Sequence, residues 1–327
     1  MSDANRAAAP ALAVDPLGGG GAGVAHPAGT APDTAAPSAV FEAIPPAIDR
    51  LLVRAAREVQ LLSALAPVNA TAERRRMVEE VARGGHPSPR WQYAPVAHVE
   101  IRRALEEASR ALDALGPSAL LAAYAARARE LSLEAELCAA AGTRAAGAIA
   151  RRRFEPDAGV AREASALAAS WLAEPDVPPP LERIASDDPD PRSLLSRLRA
   201  EVGRRRLAFA VFVHPTLAPL AATGDGVILV APGRSTSVDD VERTVVHEIE
   251  GHALPRERAR GLALSLLRIG AARGVDDQEG LALVLEARHA RLGPSRRKTL
   301  AARHHAVEAM LAGATFGDVA RSLVDDP

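Results

Sequence analysis

The sequence predicts a mainly α protein with a small β-hairpin or sheet, an α+β arrangement. Three observations carry this expectation. Alanine, leucine and arginine dominate a chain that is 48% hydrophobic and only 3% aromatic, a composition that favours helix. Apolar residues recur at helical spacing along most of the chain. Convincing strand runs are confined to two stretches, "LAFAVFVHP" and "GVILVAP".

Taken in order, residues 1–40 are Ala/Gly/Pro-rich and lack the basic and apolar segments of a secretory signal, so a disordered tail is expected. Order is expected from Phe41, in a helical N-terminal region reaching residue 180. Over 47–66, Ile48, Leu51, Leu52, Ala55, Val59 and Leu62 form one helical stripe that Pro67 and Asn69 end. Helices follow over 71–83, 97–115, 119–141, 143–153 and 159–173, interrupted by "GGHPSPRWQYAPV" and "GPS". "EPDVPPP" is a linker. The remainder, 181–327, opens with a helix over 191–201 and then holds the two strand runs, with "ATGDG" supplying turn residues before the second. Ser237 to Asp240 reads as a capping box opening a helix that runs through a histidine pair and stops at Pro255. The two regions are expected to pack as one domain.

Composition also excludes some functions. Net charge is −1, which leaves no overall electrostatic footprint for nucleic acid or an anionic membrane. Arginine runs at 74–76, 151–153 and 204–206 have acidic neighbours and read as solvated helix faces. The single Cys138 rules out an intramolecular disulfide and cysteine-based zinc clusters. No apolar run approaches the ~18 residues of a membrane span. A cytoplasmic protein without membrane or nucleic-acid partners is the expectation.

The chemistry lies in "TVVHEIEGHALP". His-Glu-x-x-His binds zinc because residues four apart sit about 40° apart around an α-helix, at ~100° per residue. His247 and His252 are five apart, which gives about 140° and turns the second imidazole away. A π-bulge near Gly251 would absorb the extra residue and restore a common face. On spacing alone, a metal site and two incidental histidines both stand. A carboxylate for a third ligand is on offer at Glu279, 27 residues after His252 in "VDDQEGLALVLEARHARL", although a helix dipole also favours an acid there.

"HEIEGH" followed by "DDQEGLAL" resembles the QEGLA-motif family, whose bacterial members are labelled flavohaemoglobin-expression-modulating and whose animal relatives are tubulin tyrosine carboxypeptidases. "AIDRLLVRAAREVQLLSALAPVNA", "PRWQYAP" and "GDGVILVAPGRSTS" extend the likeness over 48–318. The resemblance implies Zn2+ held by His247, His252 and Glu279, Glu248 as general base, and a zincin-like, gluzincin-type metallopeptidase domain. It implies a zinc carboxypeptidase acting on a peptide or protein C-terminus. Two departures stand out. Glu250 and Gly251 replace the usual Gly-Thr, with Glu250 expected to face solvent. The chain also ends at Pro327 without the family's Thr-Lys-Asp…Tyr-x-x-Gly segment, which keeps an inactive, metal-binding regulatory protein as the alternative.

Several further residues are candidates by position. Val227 to Val230 is the strand expected to offer its edge to substrate backbone. Arg234 is positioned for a terminal carboxylate, against a solvated reading. Glu286 shares a helix face with Glu279 and is placed to orient a ligand histidine. His289, His304 and His305 are candidates for an oxyanion or supporting role, with surface histidine favoured for each.

Overall fold

In the computed structural model, which describes residues 44–178, 180–215 and 217–325, helices form where apolar periodicity and a local start signal coincide. The tail expected over 1–40, and Phe41, lie outside these residues. Helix α1 (Pro46–Glu58) begins with proline in its first turn, where a missing N–H costs nothing. Then come α2 (Leu61–Ala64), α3 (Ala70–Ala82), α4 (Val99–Ala114), α5 (Ala119–Ala139), α6 (Ala145–Phe154) and α7 (Ala158–Leu172). Ser118 caps α5 by accepting from the Leu121 N–H, and Asp157 caps α7 by accepting from Gly159 and Val160.

α5 is the axis of this half. Leu121, Tyr124 and Leu131 pack against Leu105 and Leu112 of α4 and Leu52 of α1. Its other face buries charge. Arg127 and Glu130 pair directly, and Arg153 of α6 reaches Glu130 at 3.0 Å and Glu134 at 2.9 Å. The arginine run at 151–153 is therefore not a solvated face throughout: the Arg153 side chain is only 3% exposed. Helical periodicity cannot register this, because the acids that pair with Arg153 come from a different helix.

The second half opens with β1 (Ile184–Ala185), paired antiparallel with β5 (Ser235–Thr236). Helix α8 (Leu194–Arg205) precedes a three-stranded sheet of β2 (Ala210–Val213), β3 (Ala221–Thr223) and β4 (Val227–Val230), in the order β2-β4-β3. The two strand runs read from sequence are β2 and β4, and they run parallel as neighbours. The hairpin is β3–β4, with Ala222 opposite Leu229 and Gly226 at φ 72° in the turn. Ala-Ala-Thr carries little strand preference, so β3 has no clear signature in sequence. β4 is central, with both edges occupied, and β3 holds an edge of the sheet. Val227 to Val230, expected to offer an edge, is therefore the central strand, and the edge strand packed beside the histidine segment is β3.

After β5 come α9 (Val238–Val245), a π-helix (Val246–Ala253), α10 (Leu254–Arg260), α11 (Ser265–Ile269), α12 (Gly274–Arg288), α13 (Pro294–Leu311) and α14 (Phe316–Asp325). Pro255 does not stop the helix: α10 continues directly from the π-helix, with Pro255 as its second residue. Ile249 and Ala253 pack with Leu194 and Leu198 of α8, Val211 of β2, and Ile228 and Val230 of β4. Fully burying a side chain such as Ile249 contributes ~1.5–3 kcal/mol, which clamps the π-helix to the sheet. Among the described residues no helix is long and apolar enough to cross a membrane.

Candidate metal centre

The segment carrying the histidines is set up by its cap. Ser237 Oγ accepts from the Asp240 N–H at 3.1 Å while Asp240 Oδ2 accepts from the Ser237 N–H at 3.1 Å, a reciprocal capping box. The helix then widens. From Val246 to Ala253 it adopts π register, and the Leu254 N–H donates to the carbonyl of Ile249, five residues back. Such a turn puts residues five apart on one face. The His247 and His252 rings lie 5.0 Å apart in an edge-on arrangement, with their Nε2 atoms 3.2 Å from each other. The spacing that defeats a regular α-helix is the spacing that a π-helix needs.

Gly251 permits the third element to approach. A Cβ at this position would lie 2.6 Å from Ala282 Cβ and 3.1 Å from Ala282 Cα of α12. With only hydrogen there, α12 closes on the π-helix and brings Glu279 to the histidines. Its carboxylate oxygens are 3.4 Å from His247 Nε2 and 3.3 Å from His252 Nε2. All three ligand atoms lie within 4.8 Å of one another, so His247, His252 and Glu279 form a group that can hold a metal ion. Two imidazoles and one carboxylate make a donor set suited to a catalytic zinc with one position left open.

Support for this group comes from α12 and its neighbours. Glu286, two turns beyond Glu279 and fully buried, lies 2.8 Å from His247 Nδ1 through Oε1. Burial opposes its charge, but the His247 bond and the Arg296 guanidinium hold its carboxyl below the ordinary range. As a carboxylate it only accepts, so Nδ1 donates to it and Nε2 is the ring atom that faces the shared point. Burial likewise disfavours protonation of His247, yet its bonds to Glu279 and Glu286 prevail and raise its pKa to about 9. Arg296 stabilises Glu286 from α13 at 3.3 Å, a partner that sequence reasoning missed. At the start of α12, Asp276 Oδ2 lies 3.4 Å from Arg153, and the Arg273 N–H donates to Glu130. The buried charges around α5 thus anchor the helix that carries Glu279.

Glu248 is buried beside the triad, and burial pushes its carboxyl above the ordinary range. Thr223 of β3 donates to Glu248 Oε2 at 2.8 Å, which aims it along the edge strand. Nothing in the local pattern of "AAT" advertised that contact. A cleft of about 1300 Å³ opens over these residues, lined by β3, Glu248, the triad and several arginines.

Other candidates fall outside the triad. Glu250 does not face open solvent: Arg205 reaches it at 2.6 Å and His289 at 3.0 Å. His304 and His305 both contact Glu308 and lie away from the cleft lining. Arg234 does line the cleft, exposed, and donates to the Ala218 carbonyl.

A family described as microtubule-associated tyrosine carboxypeptidase matches residues 81–326, well over half of the chain. No curated protein and no solved structure matches.

Proposed function

This chain belongs to the microtubule-associated tyrosine carboxypeptidase family, and on that premise we propose that it is a zinc-dependent carboxypeptidase with a zincin-like catalytic core. The observation that supports this most directly is the convergence of His247, His252 and Glu279 within 4.8 Å, next to the buried carboxylate of Glu248. The substrate class is a peptide or protein C-terminus, entered through the cleft that β3 borders.

His247, His252 and Glu279 would hold the ion. When bound, zinc supplies Lewis acidity that polarises a peptide carbonyl and acidifies water. The chain's own residues do the rest. Glu248, its basicity raised by burial, removes the proton from the attacking water and returns it to the leaving amine. Thr223 fixes the direction of that carboxylate through its 2.8 Å bond. Glu286 fixes the ring and tautomer of His247. The free edge of β3 offers N–H and carbonyl groups that align an extended substrate backbone.

The test combines metal analysis with product analysis. Purified protein is expected to carry about one equivalent of zinc, lost in His247→Ala, in keeping with a single three-ligand site. Single C-terminal residues are expected to be released from a peptide library, and Glu248→Gln is expected to slow release by about 10²–10⁴-fold while retaining zinc. Full zinc without release from any peptide would overturn the peptidase assignment and leave a metal-binding protein.

A further inference from the structure

Among the arginines bordering the cleft, most are already engaged. Arg183 and Arg243 pair with Asp240, Arg291 with Asp239 and Arg296 with Glu286. Arg303 also borders the cleft but is exposed to solvent, whereas Arg256 is enclosed. It lines the same cleft, half-buried, and its Nε is sealed from solvent with no hydrogen-bond partner. Its guanidinium forms no ion pair among the described residues. Asp225 and Glu248 attract it only at a distance, and burial works against its charge. An arginine keeps its proton under all ordinary conditions, so this is a partly desolvated cation without a counter-ion. Such a group is costly to hold unless an anion completes it.

We propose that Arg256 binds the terminal carboxylate of the substrate. The inference rests on the peptidase reading above and names the residue that would make the enzyme a carboxypeptidase rather than an endopeptidase. The geometry follows from the helix. Arg256 lies four residues after His252, in the α-helical segment that succeeds the π-helix. That places its backbone about one helical turn, roughly 5–6 Å, further along the helix than the ligand. One extended residue spans ~3.3–3.6 Å. A substrate whose last peptide carbonyl sits at the triad therefore presents its terminal carboxylate one residue further on, within the reach of an arginine side chain. Guanidinium and carboxylate match in charge and in their paired hydrogen-bonding geometry. Arg234, the candidate read from sequence, is exposed and already donates to a carbonyl, so it has less to gain from an anion.

The experiment uses the zinc-loaded full chain and a degenerate hexapeptide mixture, made once with free C-terminal carboxylates and once with carboxamides. Residue release is followed by mass spectrometry. The wild type is expected to cleave the free acids far faster. Arg256→Met, which keeps the hydrocarbon stem, is expected to lower kcat/KM on the acids on the order of 100-fold and to change the slow amide reaction far less. Arg256→Lys is expected to restore part of the preference, and Arg256→Gln serves as a second neutral variant if methionine unfolds the protein. If acid and amide rates fall by the same factor with zinc retained, Arg256 acts on the fold or on the reacting carbonyl, and the proposal is overturned while the peptidase reading survives. If the wild type cleaves neither set, that reading fails and the same peptides become ligands in fluorescence anisotropy. Preferential binding of acids, lost in Arg256→Met, then upholds the carboxylate subsite. Equal binding of acids and amides, or binding of neither, overturns it.

Discussion

Replacing Gly251 by alanine tests whether the close approach of the π-helix and α12 is what assembles the metal centre. The added Cβ would stand 2.6 Å from Ala282 Cβ and 3.1 Å from Ala282 Cα. Carbon atoms sit comfortably at about 3.5–4.0 Å, so the two helices must part by roughly 1 Å or twist. Ala282 is fully buried and belongs to a helix backbone, so no flexible side chain can swing aside. Overpacking of this kind costs about 1–3 kcal/mol. The effect on metal binding should be larger in proportion, because Glu279 stands three residues before Ala282 on the displaced helix and ligand distances tolerate only about 0.2 Å. Zinc affinity is expected to fall at least 10-fold. Ala282→Gly by itself should cost about 1 kcal/mol in helix propensity, and the double variant should recover part of the loss by removing the closest contact. Urea melts and competition with a chromophoric chelator measure the cycle. Additivity within about 0.3–0.5 kcal/mol, or wild-type zinc affinity in Gly251→Ala, would refute the account.

Two further expectations concern carboxylates. Glu286→Gln removes the charge behind His247 Nδ1 and should weaken zinc binding about 10–100-fold; unchanged affinity in chelator competition would show that Glu286 merely fills space. Glu73 tests a pH dependence far from the metal. Its hydrogen bonds from Arg76 and from the Arg90 N–H hold its carboxyl down to about 2. A depressed carboxylate stabilises the fold above its unfolded pKa of about 4.3 and loses that contribution as pH falls toward the folded value. Glu73→Gln should therefore lower Tm at pH 7, with the gap to wild type closing as pH drops from 5 to 3. A gap that stays constant with pH would sink this reading.

Much of the molecule was legible as a sequence. The helices emerged from apolar periodicity because each must bury one stripe, and α3 and α5 lie within two residues of their expected bounds. The capping box at Ser237 was readable because its chemistry spans only four residues. "HEIEGH" and "QEGLA" identified the three residues that do converge. Tertiary structure alone decided other features. The π register depends on which carbonyl each N–H reaches, and side-chain spacing leaves that choice open until α12 packs against Gly251. Arg153 reads as exposed on its own helix and is buried only because Glu130, Glu134 and Asp276 arrive from two others. The edge position of β3 follows from β4 pairing on both sides. Arg256 resembles any other arginine in a basic helix until the cleft forms around it. Residue type and period encode what a segment can do locally. Which groups meet across tens of residues, and which are deprived of water, is set by the packing of one element on another.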